Sequence, residues 1–327
     1  MRGLVIKSTG SSYIVRLDDG TNVECRIKGN FRIRGIRSTN PVAVGDYVEI
    51  QRDNVPCTKD KCQSTSWITD VCERRNYIIR KSTNLSKESH ILAANIDQVA
   101  LIVTVNHPVT STTFIDRFLA TCEAYRVRAI LIFNKIDLLT DEELAQLADL
   151  RALYESIGYE TVELSAISIQ PSELLPLLAG KVTLLSGNSG VGKSTLLNAL
   201  FGRELTRTGK ISDAHDKGMH TTTFSEMYFL NEMSNAKCQI SNINAGALID
   251  TPGIKGFGTI DFEREEVSHF FPEIFRASQE CRFSNCTHTN EPRCAVQQKI
   301  ITGDIAISRY ESYLSILDDT TEGKYRA

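Results

Sequence analysis

Eight consecutive residues, Gly187-Asn188-Ser189-Gly190-Val191-Gly192-Lys193-Ser194, satisfy the GxxxxGK[ST] pattern at every fixed position. Glycines in such a loop let backbone N–H groups converge on phosphate oxygens without obstruction by Cβ atoms. Lys193 is placed to bridge β- and γ-phosphates, and Ser194 to ligate Mg²⁺. The apolar run KVTLLS precedes the loop and STLLNALF follows it. It therefore reads as a strand-to-helix turn, with the positive end of the helix facing the same phosphates.

This loop does not choose the base. Asn134-Lys135-Ile136-Asp137, at the end of the apolar run RAILIF, offers a carboxylate that can accept from both guanine N1–H and the exocyclic N2–H₂. Adenine has neither donor, so an unpaired carboxylate would penalise it. Ser165-Ala166, after TVEL, matches a loop whose backbone contacts guanine O6. Asp250-Thr251-Pro252-Gly253 closes the run GALI; Asp250 would hold Mg²⁺ through water, and the Gly253 N–H would sense the γ-phosphate. Between the two phosphate boxes lies Gly218-Met219-His220-Thr221-Thr222-Thr223, from which Thr222 is expected to complete the Mg²⁺ shell.

A second constellation follows. Cys281, Cys286, His288 and Cys294 form C-x4-C-x-H-x5-C inside the polar segment ECRFSNCTHTNEPRC. Three thiolates and one imidazole satisfy tetrahedral Zn²⁺, and a full protein ligand set points to one closed structural ion. The segment has too few apolar residues for a core, so metal binding would supply much of its folding free energy. The other cysteines, among them Cys25, Cys57, Cys62, Cys72 and Cys122, form no compact ligand set and read as buried or free thiols.

The elements that must carry these boxes can be read around them. VALIVTV, RAILIFNK, TVELSA and KVTLLSG are strand-like runs alternating with the helical patterns FIDRFLATCEAY, DEELAQLADLRALYESIG and PSELLPLLAG. This alternation predicts a mostly parallel, doubly wound α/β sheet. The boxes, however, run in an unusual order. The guanine boxes at 134–137 and 165–166 come before the phosphate loop, and the DxxG box comes last. A GTPase whose order is circularly permuted explains this, since permutation at surface termini is tolerated.

The first seventy or so residues instead show short alternating runs, GLVIKS, SYIVRL, NVECRIKG and DYVEIQR, separated by Gly-containing turns, and predict a small OB-type β-barrel. Residues 1–82 hold 15 Lys or Arg against 9 Asp or Glu, whereas the remainder holds 22 against 31, so a basic head sits on an acidic body within a net charge of -3. The head is either a polyanion-binding surface or a solvated basic face. Arg32, Arg34 and Arg37 lie in a basic loop, and Phe31 and Tyr47 could stack on bases or fill the core. The polar stretch RKSTNLSKESH reads as a linker, and FEREEVSHFFPEIF and ISRYESYLSIL read as amphipathic helices around the metal segment. No apolar run approaches the ~20 residues that span a bilayer. The start MRGLVIKSTG lacks a signal-peptide core, so the cytoplasm is the expected location.

The permuted boxes, the basic barrel before them and the C-C-H-C cluster behind them together resemble the small-ribosomal-subunit biogenesis GTPases known as RsgA or YjeQ. The resemblance spans nearly the whole chain, including AANIDQV and GKISDAHDKGMHTTT. It implies a barrel at 1–75, a linker at 76–90, a circularly permuted GTPase domain at 91–260 and a helical zinc module at 261–327. It also implies a GTP hydrolase that acts late in small-subunit maturation, binds the subunit's rRNA and is stimulated by the subunit. By position, Asn134, Lys135, Ile136 and Asp137 would bind guanine, and Gly187 through Thr195 the phosphates. Ile254 occupies the place of the water-orienting glutamine that follows DxxG in other GTPases, which the family also lacks; His220 is the candidate for that task. Nothing in the sequence calls for an obligate dimer, and a monomer is expected. A non-catalytic GTP-binding switch and a P-loop nucleotide kinase are the competing readings. Multiple turnover would exclude the first, and the guanine box speaks against the second.

Overall fold

The computed structural model describes residues 1–27, 41–52, 66–81, 89–169, 171–205, 224–233, 246–251 and 262–322. The N-terminal strands β1 (Arg2–Ser8), β2 (Tyr13–Leu17), β3 (Asn22–Ile27), β4 (Tyr47–Arg52) and β5 (Ser66–Val71) close into a barrel. Neighbours are antiparallel except β3 and β5, and closure comes from β4 pairing with β1. Alternation along the strands sends Val5, Tyr13, Val15, Cys25, Val48, Ile50 and Ile68 inward, while Leu4 and Ile6 on the other face of β1 pack against the core of the following domain.

The stretch read as a linker is not one at its ends. β6 (Tyr77–Lys81) and β7 (Ser89–Ala94) pair as an antiparallel hairpin, and Ile78 and Ala93 are wholly buried in the core of the following domain. The polar composition of 80–90 hid the two strands because their apolar positions, Tyr77–Ile79 and Ile91–Ala94, lie outside it. The barrel docks on this hairpin through Val42–Asp46. Gly45 lies at φ 93°, and a Cβ there would meet the Ala94 carbonyl oxygen at 2.1 Å, so glycine is required. Asp46, fully buried, pairs with Arg74 at 2.7 Å.

The central domain comprises β8 (Gln98–Val103), α1 (Thr112–Ala124), β9 (Arg128–Phe133), α2 (Asp141–Ile157), β10 (Glu160–Glu163), α3 (Pro171–Leu178), β11 (Val182–Ser186), α4 (Lys193–Phe201), β12 (Ser225–Phe229) and β13 (Ala247–Asp250). Strand order is β10-β9-β8-β11-β13-β12, parallel throughout except for β12. Val99, Leu101 and Val103 pack under α1 and α2, while Ala100 and Ile102 face α3 and α4, so the central strand is buried on both sides. The sheet does not stop at β12. Lys7 and Ser8 of β1 pair with Glu226 and Ser225, which joins barrel and α/β domain into one eleven-stranded sheet. Among the described residues no helix is long and apolar enough to cross a membrane.

At the C-terminus α5 (Pro272–Ser278), α6 (Ala295–Ile301) and α7 (Ile307–Glu322) surround a core of Phe262, Val267, Phe271, Ile274, Val296 and Tyr313, to which α1 contributes Ala120. The run FEREEVSHFFPEIF is not one helix. Val267–Phe270 is a 3₁₀ turn, and α5 starts only at Pro272, which forces Phe271 into an extended conformation (φ -119°, ψ 95°).

Candidate nucleotide and metal sites

The phosphate loop leaves the carboxyl end of β11, at the centre of the sheet, and enters α4. Lys193 is buried, and its Nζ donates to the carbonyls of Gly187 and Asn188, both at 2.8 Å. Burial lowers its pKa to about 8, against the pull of the Asp250 carboxylate, which favours the ammonium. Asp250 ends β13 directly beside β11, in register with Leu185. The lysine thus lies folded back over its own loop.

The guanine box is tied to this loop by one side chain. Asn134, buried at the end of β9, donates from Nδ2 to the Val191 carbonyl at 2.7 Å and accepts at Oδ1 from the Ala166 N–H at 2.9 Å. Three loops from three strands therefore converge on one amide. Gly192 (φ 100°) must remain glycine here, because a Cβ would lie 2.3 Å from Asn134 Nδ2. Lys135 takes a left-handed conformation (φ 66°) ahead of a 3₁₀ turn at Ile136–Leu138, and Asp137 faces solvent. Ser165 and Ala166 are buried beside them. Ser194 and Thr195 are half-buried in the first turn of α4.

His220, Thr222, Gly253 and Ile254 lie outside the described residues, as do Phe31, Arg32, Arg34 and Arg37 of the barrel. Tyr47 is exposed and carries the Arg2 guanidinium 4.8 Å from its ring centre, so it is a surface aromatic rather than core. Cys25 and Cys122 are buried free thiols, as read, and Cys72 is half-buried.

One group of residues at the nucleotide site escaped the sequence. The Lys135 ammonium donates to the carbonyl of His107, in the loop between β8 and α1, and Pro108 of that loop lies against Gly190. The only local signal was Asn106-His107-Pro108, a turn-type sequence at a strand end.

Cys281, Cys286, His288 and Cys294 bring their ligand atoms within 4.8 Å of one another. The Cys281 and Cys294 sulfurs lie 3.6 and 3.5 Å from His288 Nδ1 and 3.9 Å apart. A tetrahedral zinc site with 2.3 Å Zn–S bonds has edges of about 3.8 Å, so the donor set fits. Burial favours the neutral His288 imidazole that a metal needs, and pushes the Cys286 thiol up to about 12 when no cation offsets it. The loop is held from within and from outside: its own Glu291 accepts from the Thr287, Thr289 and Asn290 N–H groups, and the Tyr310 and Tyr313 hydroxyls of α7 donate to the His288 and Thr287 carbonyls.

A phosphate loop on the central strand, guanine boxes on strands that precede it and an acidic box on a strand that follows define a circularly permuted P-loop GTPase. The RsgA GTPase family model matches residues 71–260, and the RsgA N-terminal domain model matches residues 2–56. The small ribosomal subunit biogenesis GTPase RsgA of Phocaeicola vulgatus is 55% identical over 328 aligned positions, covering 100% of this chain and 99% of that protein. YjeQ from Thermotoga maritima superposes with a TM-score of 0.70 at 30% identity, covering 98% of each chain. YloQ, described as a circularly permuted GTPase, gives 0.67 at 26% identity over 100% of this chain and 96% of the other. The chain belongs to the RsgA GTPase family and is a GTP hydrolase.

Proposed function

We propose that the chain hydrolyses GTP to GDP and phosphate while docked on the small ribosomal subunit late in its maturation, and that the subunit stimulates turnover. The observation that carries the nucleotide assignment is the Asn134 amide, which joins the guanine box, the Ser165-Ala166 loop and the phosphate loop. In this reading Asp137 accepts from guanine N1–H and N2–H₂, and the Ala166 loop lies at O6. Lys193 leaves the Gly187 and Asn188 carbonyls for the β- and γ-phosphates, whose charge favours its ammonium form. Ser194 and Thr222, with Asp250 acting through water, would hold a Mg²⁺ ion, which would supply charge neutralisation at the phosphates. Gly253 donates to the γ-phosphate, and His220 orients the attacking water, since Ile254 cannot. Zn²⁺ is the structural ion of the Cys281, Cys286, His288 and Cys294 cluster. The basic barrel, with Tyr47 exposed on it, supplies an rRNA contact. The protein acts as a cytoplasmic monomer.

Steady-state GTP hydrolysis, measured alone and with purified small or large subunits, tests this, with Lys193→Ala as the blank. Stimulation by small subunits only is expected. Equal rates with either subunit would keep the hydrolase and remove the ribosomal assignment.

A further inference from the structure

The loop that receives Lys135 is anchored at its far side. Asn106 Nδ2 donates to Glu143 Oε1 at 2.5 Å. The second oxygen of the same carboxylate accepts from the Thr140 backbone N–H at 2.9 Å, closing the capping box at the start of α2. Thr140 lies three residues beyond Asp137, so Glu143 touches both loops that flank the guanine box. Asn106 Oδ1 in turn accepts from the His107 N–H at 2.9 Å, and His107 is held at φ 59°, a region that non-glycine residues avoid. Its carbonyl is the acceptor for the Lys135 ammonium. Thr104 Oγ1 donates to the Pro108 carbonyl at 2.5 Å and fixes the other side of the turn.

We propose that Asn106 and Glu143 are positioning residues for guanine-nucleotide binding: their hydrogen bond holds the His107 carbonyl where it captures Lys135, and so fixes the turn that aims Asp137. The chain Glu143, Asn106, His107, Lys135 is continuous: its two end links join one loop to the next, and its middle link braces the turn between them. Lys135 itself is left-handed (φ 66°), a conformation that needs an external restraint, and its ammonium bond to His107 is that restraint. The Thr140 N–H, first, and the Asn106 amide hold the Glu143 carboxyl below its ordinary range, so it remains an acceptor at neutral pH. A site residue held by such a supporting layer loses precision when the layer is cut, although the base never touches it. The proposal rests on the assignment of 134–137 as the guanine box.

The test uses the full-length protein and a fluorescent GDP, reading equilibrium affinity and dissociation rate, with the KM and kcat for GTP alongside. Asn106→Ala leaves the Thr140–Glu143 capping box intact. It is expected to weaken GDP and raise KM about ten-fold, the worth of one charge-assisted hydrogen bond, while kcat changes less than about two-fold. Glu143→Ala cuts the same link and the Thr140 cap as well, so it should lose at least as much, and the double variant should be no worse than Glu143→Ala alone, because both cut one link. Glu143→Gln keeps an acceptor for Asn106 and should recover most of the affinity. Should Glu143→Ala fail to fold, Asn106→Ala decides alone. GDP binding by Asn106→Ala equal to wild type, or additive losses in the double variant, would overturn the proposal and leave the GTPase reading untouched. A wild-type chain that binds no guanine nucleotide would remove both.

Discussion

Asn134 Nδ2 donates to the Val191 carbonyl at 2.7 Å although the two residues are 57 positions apart in the chain. Residues 134–137 and the 187–194 loop are therefore bonded directly to each other. This contact survives a reversed order of the boxes because it depends on β9 and β11 presenting their carboxyl ends at the same edge of the sheet. Permutation changes which loop connects the strands, and leaves their ends where they were. It also puts the acidic box of β13 next in the chain to the metal module.

Replacing that asparagine should be costly both for binding and for the local fold. Asn134→Ala leaves the Val191 carbonyl and the Ala166 N–H buried without their partner. At about 1–3 kcal/mol for each orphaned group, GDP affinity should fall by at least about ten-fold. Asn134→Asp sets a carboxylate oxygen against the Val191 carbonyl and should be no better. Calorimetric titration with GDP measures both.

Lys193 makes nucleotide binding depend on pH. Its folded pKa is about 8. In an unfolded chain lysine keeps its proton to about 10.4. Between those values the unfolded state binds more protons, so the nucleotide-free protein gains stability as pH rises through this window. Phosphate oxygens favour the ammonium, so binding above pH 8 takes up a proton. GDP affinity should accordingly fall as pH rises from about 8 to 9.5. Calorimetry at pH 9 in buffers of different ionisation enthalpy reads the uptake directly; a zero uptake would mean that Lys193 already carries its proton at that pH and that burial does not lower its pKa.

The metal module should not keep its structure without its ion. Cys294 is a cluster ligand and also caps α6, accepting from the Gln297 N–H. Cys294→Ala therefore loses a ligand and a cap together. Elemental analysis is expected to find one zinc per wild-type chain and less than about a tenth of that in the variant. Limited proteolysis between α5 and α6 should accelerate in the variant and in wild type treated with a strong chelator.

How much of this was legible in the sequence follows from how local each feature is. The phosphate loop, the guanine box and the C-C-H-C cluster are runs of neighbouring residues whose chemistry is written in their spacing, so they could be read without a fold. The parallel sheet was legible because β8 and β9 are apolar at almost every position, which only two-sided burial explains. The β6–β7 hairpin was not, since Ile78 and Ala93 are buried against Val44, some thirty or more residues earlier in the chain. The Asn106–Glu143 contact was hidden for the same reason: an asparagine in a turn and a glutamate in a capping box each have a sufficient local explanation. Only the placement of α1 and α2 on one sheet face brings them together.

The same helices carry the last prediction. Arg309 of α7 is almost wholly buried and donates to Asp116 of α1 at 2.7 Å and to Glu273 of α5 at 2.6 Å. The Tyr154 hydroxyl donates to the same Asp116 oxygen at 2.9 Å, and the guanidinium lies 4.7 Å from the centre of the Phe271 ring. One cation thus joins two helices of the metal module to α1 of the GTPase domain, with Tyr154 of α2 on the same carboxylate. Burial raises the Asp116 pKa, and Arg309 is the main force opposing that rise. Removing the cation leaves a buried carboxylate uncompensated, so Arg309→Met should destabilise by about 3–5 kcal/mol in urea unfolding. The Lys7–Glu226 pair at the barrel seam is partly exposed on both sides, and Lys7→Ala should cost at most about 1 kcal/mol. Adding Asp116→Asn to Arg309→Met should recover part of the loss, because it removes the stranded charge while an amide can still accept from Tyr154. If the double variant is instead as unstable as the sum of the singles, the cost lies in packing around the arginine and not in the charge it neutralises.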